Sequence, residues 1–376
     1  MPNPPRVLSR WQALPGSFSN LALDAAPEPQ LLGADSMGKS RILRRSEDWR
    51  PVVTVVAWFA LVIGEWLWAP QRLVVVLPLV ALTCMIAFLG AVATHNTMHV
   101  PVFRAKKLNR LFQVALTLVY GHPVSSFVPG HNLSHHDFIE SPRDVMRTTK
   151  ARFRWHLLNL LFFMQIVGRD VMRAEISYIR AAWRFDRPWV RQLMLEATIW
   201  LSGSAVLLLI DWRKFVLFIV LPNLYASWGI LAMNMLQHDG ADIDSQYDHS
   251  RNFVGKWVNW FTFNNGFHTV HHHDANIHWS DLPKMHAMIV APHIHPALVQ
   301  PSLLKYVFQT YFWPGKRVRF DGAPLPPADA GKDEDWIADA FVTAAYGPMS
   351  YRAGGPMSRR AGGPMSQRLP LSQRLS

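Results

Sequence analysis

Nine of the seventeen histidines in the chain fall into short clusters at repeating intervals. "HNTMH" supplies His95 and His99, "HNLSHH" supplies His131, His135 and His136, and "HTVHH" supplies His268, His271 and His272. The ninth, His238, closes "NMLQH", with Asn234 four residues before it. Residues at i and i+4 share one face of a helix, so two imidazoles at that spacing can converge on one point. Adjacent helical residues point about 100° apart, so the two members of a His–His pair can serve different centres. Such a set suits two metal ions better than one. An all-imidazole environment accepts zinc, copper, iron or nickel. Catalytic zinc takes three protein ligands, typically beside a Glu base, and the chain has no H-E-x-x-H motif. Nine imidazoles exceed the needs of one zinc. They would furnish two five- or six-coordinate irons and leave positions open for dioxygen. A single histidine near a membrane is ordinarily structural and satisfied by one hydrogen bond, but that reading does not explain three clusters together.

The elements that must position these residues are apolar and long. Half of the chain is hydrophobic, and uncharged runs such as 73–94 are long enough to cross a bilayer. Four spans are expected, at about 52–69, 73–94, 193–210 and 215–236. Two further apolar stretches, 108–128 and 155–168, are interrupted by Arg110, Pro123 and His156 and read as interfacial or re-entrant helices. Glu65 and Glu196 fall within spans, where a carboxylate is expected to be paired or close to the interface. The predicted fold class is therefore an all-α integral membrane protein with four transmembrane helices and a cytoplasmic helical cap that carries the histidines.

The net charge of +12 could signal nucleic acid, but the placement of the charge argues otherwise. Eleven Lys or Arg lie between Arg143 and Arg191, joining spans two and three, and more precede span one in "KSRILRRSEDWR". The opposite turns carry only Arg72 and the pair Arg213 and Lys214. By the positive-inside rule, both termini and the central segment are expected on the cytoplasmic side. His95 follows two crossings and His238 four, so every cluster would emerge on that same face. Anionic lipid or an acidic redox partner would account for the basic surface, without nucleic acid. The single cysteine, Cys84, rules out an internal disulfide and a cysteine-ligated iron–sulfur or zinc site. Residues 1–45 read as a flexible arm, 46–325 as the membrane domain, and 326–376, with its repeated "GPMS", as a low-complexity, disordered tail.

The three boxes and "NMLQH" resemble the histidine boxes of the membrane fatty acid desaturase and hydroxylase superfamily, over about residues 50–300. The resemblance implies iron ligation by His95, His99, His131, His135, His136, His238, His268, His271 and His272, with Asn234 acting through a bound water. It implies two non-heme irons, dioxygen as co-substrate and a fatty acyl substrate into which a double bond is introduced. The first box has three intervening residues where the stearoyl-CoA group has four. The boxes alone do not separate a desaturase from a hydroxylase, a carotenoid ketolase or hydroxylase, or a decarboxylase forming terminal alkenes. No G-x-G-x-x-G fingerprint or fused heme segment is present, so a ferredoxin-, rubredoxin- or cytochrome-type electron donor is implied.

Other residues carry smaller expectations. His273 could replace His272 if the third box were read as H-x-x-x-HH; the shorter spacing, with His271 and His272, is the reading adopted. His122, His156, His249, His278, His286, His293 and His295 read as interfacial or structural, with His278 and His286 as possible linings of the cap. Asp137 follows His136, Asp239 follows His238 and Asp274 closes the histidine run at His273; each could orient imidazole N–H groups. Arg143, Arg147 and Lys150 could hold an anionic head group, although a positive-inside role suffices for them. A non-catalytic metal transporter or sensor is the competing class; it would place polar ligands at mid-membrane depth, whereas these histidines cluster at the span ends.

Overall fold

Four long apolar runs, two of them uncharged, become four helices long and apolar enough to cross a membrane: α1 (Ser46–Trp68), α2 (Leu73–His99), α6 (Arg187–Ile210) and α7 (Trp212–His238). The computed structural model describes residues 42–68, 70–328, 331 and 333–336. Between the span pairs lie α3 (Lys106–Tyr120), α4 (Val124–Phe138) and α5 (His156–Phe185). A short helix, α8 (His268–His273), carries the third box. Apart from β1 (Asn252–Phe253) and β2 (Val299–Gln300), two residues each and paired in parallel, the described chain is helices and loops. The spans are dressed for lipid: Leu67, Val74 and Leu209 are largely exposed on their outer faces. This is an integral membrane protein.

Two expected boundaries move in an informative way. Helix α2 continues to His99 and α7 to His238, so the first box and the outlying histidine occupy the last turns of the spanning helices themselves. The two apolar stretches with interruptions also resolve. Helices α3 and α4 are bent by 89° at a short break, the geometry of a broken span or a re-entrant loop. Gly121, at φ +80°, ends α3 in the left-handed conformation that glycine adopts without a Cβ clash.

Helices α2 and α7 pack on each other more extensively than any other two spans, and small residues let them approach. A Cβ on Gly229 would sit 2.6 Å from Cδ2 of Phe88, so α7 can lie against α2 only without one. Gly229→Leu should therefore cost about 1–3 kcal/mol through overpacking, read as a lower thermal midpoint in detergent. Gly203→Ala, at a site with nothing within 4 Å, should be tolerated. An equal response from both would locate the constraint elsewhere than this contact.

The buried carboxylates in the spans are paired. Thr83 Oγ1 donates to Glu65 at 2.6 Å. Glu196 accepts from the Ser125 backbone N–H at 2.8 Å, from the Ser125 hydroxyl at 3.0 Å and from Gln192 at 2.8 Å, which ties α6 to the start of α4.

At the start of the segment expected as a tail, a short stretch is docked. Residues 333–336 dock onto the loop after the second box: Asp333 pairs with Arg147 and with Lys150, and Glu334 N donates to the Pro142 carbonyl. Trp336 is buried, its ring stacked 6.1 Å from that of Tyr178. Burial of one tryptophan and pairing of one carboxylate with two cations order a stretch whose composition reads as linker. These carboxylates, rather than a head group, meet Arg147 and Lys150, with Arg143 3.5 Å from Glu334. Residues 1–41 of the expected arm and the "GPMS" repeats lie outside the described residues.

Candidate metal centre

The three boxes reach one place by different routes. His95 and His99 sit one turn apart on α2, and His268 and His272 one turn apart on α8, each pair on one face as i, i+4 spacing requires. The second box behaves differently. Residues Val128–His135 form a π-helical segment, in which hydrogen bonds span i to i+5 and His136 N donates to the His131 carbonyl. His131 and His136 are consequently paired, with Nε2 atoms 3.1 Å apart, while His135 turns to the other side.

All nine clustered histidines come together, in two groups. One contains His95, His99, His131, His136 and His271; the other contains His135, His238, His268 and His272. Within each group the candidate ligand atoms lie within 4.8 Å of one another. Nitrogens bound at about 2.1 Å to a single ion are at most about 4.2 Å apart, so each group needs little closing to hold one. Both adjacent pairs are divided: His135 and His136 face different groups, and so do His271 and His272.

The hydrogen-bonding of the rings fits metal ligation. His135 Nδ1 donates to Asp144 Oδ2 at 2.9 Å, and His238 Nδ1 donates to the His249 carbonyl at 3.2 Å. The proton is thereby fixed on Nδ1 and a lone pair is left on Nε2. In the first group, His95 Nδ1 faces Asn96 Oδ1 at 3.0 Å. The Nε2 atoms of His99, His135 and His271 are buried with no partner among the described residues. His268 Nε2 lies 2.9 Å from His238 Nε2 and 3.1 Å from His272 Nε2, and three imidazole nitrogens sharing so few protons cannot all be satisfied by one another. Each unpaired buried polar atom costs about 1–3 kcal/mol, so this arrangement calls for a cation. Burial, reinforced by neighbouring imidazoles, holds His268, His271 and His272 well below the usual histidine range, in the neutral form a metal requires.

The surrounding chain locks the ligand-bearing elements. Asp144 is fully buried; burial pushes its carboxyl up, but His135 and the backbone N–H groups of Glu140 and Met146 hold it below the ordinary carboxylate range. Arg251 Nη1 donates to the Leu236 carbonyl at 2.7 Å and the Asp239 carbonyl at 3.1 Å, satisfying the C-terminal end of α7 beside His238. Asn252 on β1 accepts from Thr269 N at 3.1 Å, which serves an otherwise orphaned N–H of α8.

Several expected roles fall to other residues. Asp239 is engaged by Arg317 at 2.6 and 2.8 Å, Asp274 accepts from Asn276, and Asp137 is exposed, so none of the three orients a box histidine in the observed hydrogen bonds. Asp144 does so instead. Its only sequence signal is its place eight residues after His136, behind Asp137 and Glu140. Asn234 lies one turn before His238 and donates to the Met146 carbonyl at 3.1 Å. His273 stands in neither group; its Nε2 meets the Gln246 carbonyl at 2.9 Å and its ring stacks on Tyr247. His278 is held by Asp48 at 2.9 Å and Ser280 at 2.8 Å, which makes it a structural link to the start of α1. His286 is buried and belongs to neither group.

A family model described as "Fatty acid desaturase" matches residues 70–299, a stretch that contains all nine of these histidines. No curated protein matches the chain.

Proposed function

The chain belongs to the fatty acid desaturase family, and from that premise we propose that it is an oxygen-dependent, di-iron membrane enzyme that introduces a double bond into a fatty acyl chain. One observation carries the metal part of this reading: nine imidazoles divide into a group of five and a group of four, each compact enough for one ion. His95, His99, His131, His136 and His271 would hold one iron, and His135, His238, His268 and His272 the other. When bound, the irons supply the activation of dioxygen that breaking an unactivated C–H bond requires. Net, two hydrogens leave adjacent methylenes and, with dioxygen, two electrons and two protons, give a double bond and two waters.

The protein's own part is positioning. Asp144 and the His249 carbonyl keep protons on the outer ring nitrogens of His135 and His238. Burial of the histidines keeps bulk water from the reacting centre. Asn234 would contribute through a bound water, one turn from His238 on α7. The basic segment between α4 and α6 supports a cytoplasmic site. It would also attract an acidic ferredoxin-, rubredoxin- or cytochrome-type electron donor.

Metal analysis and product analysis test the two parts separately. Protein expressed aerobically with ample iron should carry about two irons per chain, one for each histidine group. Zinc or nickel with no iron would sink the proposal. With a reducing system and a panel of acyl substrates, mass spectrometry should show a product of unchanged length that is two hydrogens lighter. A hydroxy acid, or an alkene one carbon shorter, would replace desaturation with hydroxylation or decarboxylation.

A further inference from the structure

A second site lies away from the histidines, between α3 and α6. The two helices enclose an open groove of about 650 Å³. Its floor is apolar, made by Leu111 and Val114 of α3 and by Leu195 and Ile199 of α6. Leu111 and Leu195 are exposed, on a face that in a membrane protein meets lipid. Two arginines stand in the same groove, Arg110 on α3 and Arg191 on α6. Among the described residues neither guanidinium has an ion-pair partner.

Depth gives the groove a direction. Arg191 is in the second turn of a spanning helix, while Ile199 is eight residues further in, about 12 Å along the axis. The cationic part therefore sits where the span leaves the bilayer, and the apolar part runs inward beside the lipid chains. A positive-inside bias alone would scatter arginines around the helix ends. Here two line one apolar trough from different helices, each without an ion-pair partner among the described residues.

We propose that this groove binds an anionic phospholipid, its phosphate held between Arg110 and Arg191 and one acyl chain laid along Leu111, Val114, Leu195 and Ile199. Charge complementarity selects the occupant. A guanidinium fork matches phosphate oxygens in a bidentate manner, and two such forks favour a lipid with net negative charge over a zwitterionic one. The groove's wall connects to the metal-bearing part of the fold. Gln192 donates to the Arg110 carbonyl at 3.3 Å and to Glu196 at 2.8 Å, and Glu196 accepts from Ser125 at the start of α4. Bound lipid would brace the helix that presents the second box.

Native mass spectrometry of detergent-purified protein tests this, after incubation with phosphatidylglycerol or with phosphatidylcholine of the same acyl chains. Wild type should retain one phosphatidylglycerol per chain, and Arg110→Gln/Arg191→Gln should retain at least tenfold less. Phosphatidylcholine should bind weakly and equally to both proteins. Ile199→Trp, which fills the trough and spares both arginines, should also lower retention, so the result does not depend on one variant folding. Unchanged bound metal in each variant would verify that the histidine site is intact. Equal retention of phosphatidylglycerol by wild type and the double variant would overturn the proposal. So would displacement by inorganic phosphate, since the head group alone would then suffice. Retention of oleate in place of the phospholipid, with the same arginine dependence, would reassign the groove to free fatty acid.

Discussion

His272→Ala should remove metal from the chain, and His273→Ala should leave it in place. The two residues are neighbours of identical chemistry, yet their surroundings differ. The His272 ring lies 5.0 Å from that of His135 and 4.9 Å from that of His238, with its Nε2 3.1 Å from that of His268. His273 points the other way and is satisfied by the Gln246 carbonyl. Loss of a residue that merely supports a ligand costs about 10–100-fold in metal affinity, so loss of one of four direct ligands should cost at least that. Metal content measured after dialysis should fall towards one ion per chain in His272→Ala, with oxidation of the acyl substrate lost. It should stay at the wild-type level in His273→Ala. The opposite pattern would mean that the third box is read as His268, His272 and His273.

Much of this site was legible because its spacing is helical. His95 with His99, and His268 with His272, are one turn apart in ordinary α-helix, and the structure keeps those pairs on one face. The division of adjacent pairs between two centres follows from the same 100° rotation. The second box departs from that logic. Read as α-helix, its spacing pairs His131 with His135; the π-helical turn pairs His131 with His136 instead. A backbone whose hydrogen bonds span one residue more is set by tertiary contacts, such as the Ser134 hydroxyl donating to the Arg143 carbonyl and accepting from Val145 N, and has no compositional mark.

The spans were readable for a simpler reason. An uncharged run of twenty or more residues has few alternatives to crossing a bilayer. What such runs leave open is how far a helix continues once it becomes polar, and here α2 and α7 carry on into their histidines. The carboxylates illustrate the limit of reading by adjacency. Asp137, Asp239 and Asp274 each directly follow a histidine, yet a residue next to a helical histidine points about 100° away from it. The partner that reaches a ring from outside must come from another segment, and in this fold Asp144 does, from the loop after α4.

Asp144 accordingly offers the sharpest test of how the second group is built. Its Oδ2 accepts from His135 Nδ1 and from Glu140 N, both at 2.9 Å, while Oδ1 accepts from Met146 N at 2.8 Å. These three hydrogen bonds hold one loop and one imidazole together. Asp144→Ala should release the His135 ring, let its proton move between nitrogens, and weaken metal binding at the four-histidine group by about 10–100-fold. Asp144→Asn should fall between wild type and Ala. Its amide oxygen can still accept from His135, but its NH2 then faces the Met146 N–H, and the negative charge that makes the imidazole a better ligand is gone. The five-histidine group contains no contact to Asp144 in the observed hydrogen bonds, so competition with a chelator should show one ion leaving early and the other at the wild-type rate. A variant that lost thermal stability while both ions left together, as in wild type, would confine Asp144 to folding the loop. Early loss of a single ion, graded from Asn to Ala, would place it in the support of His135.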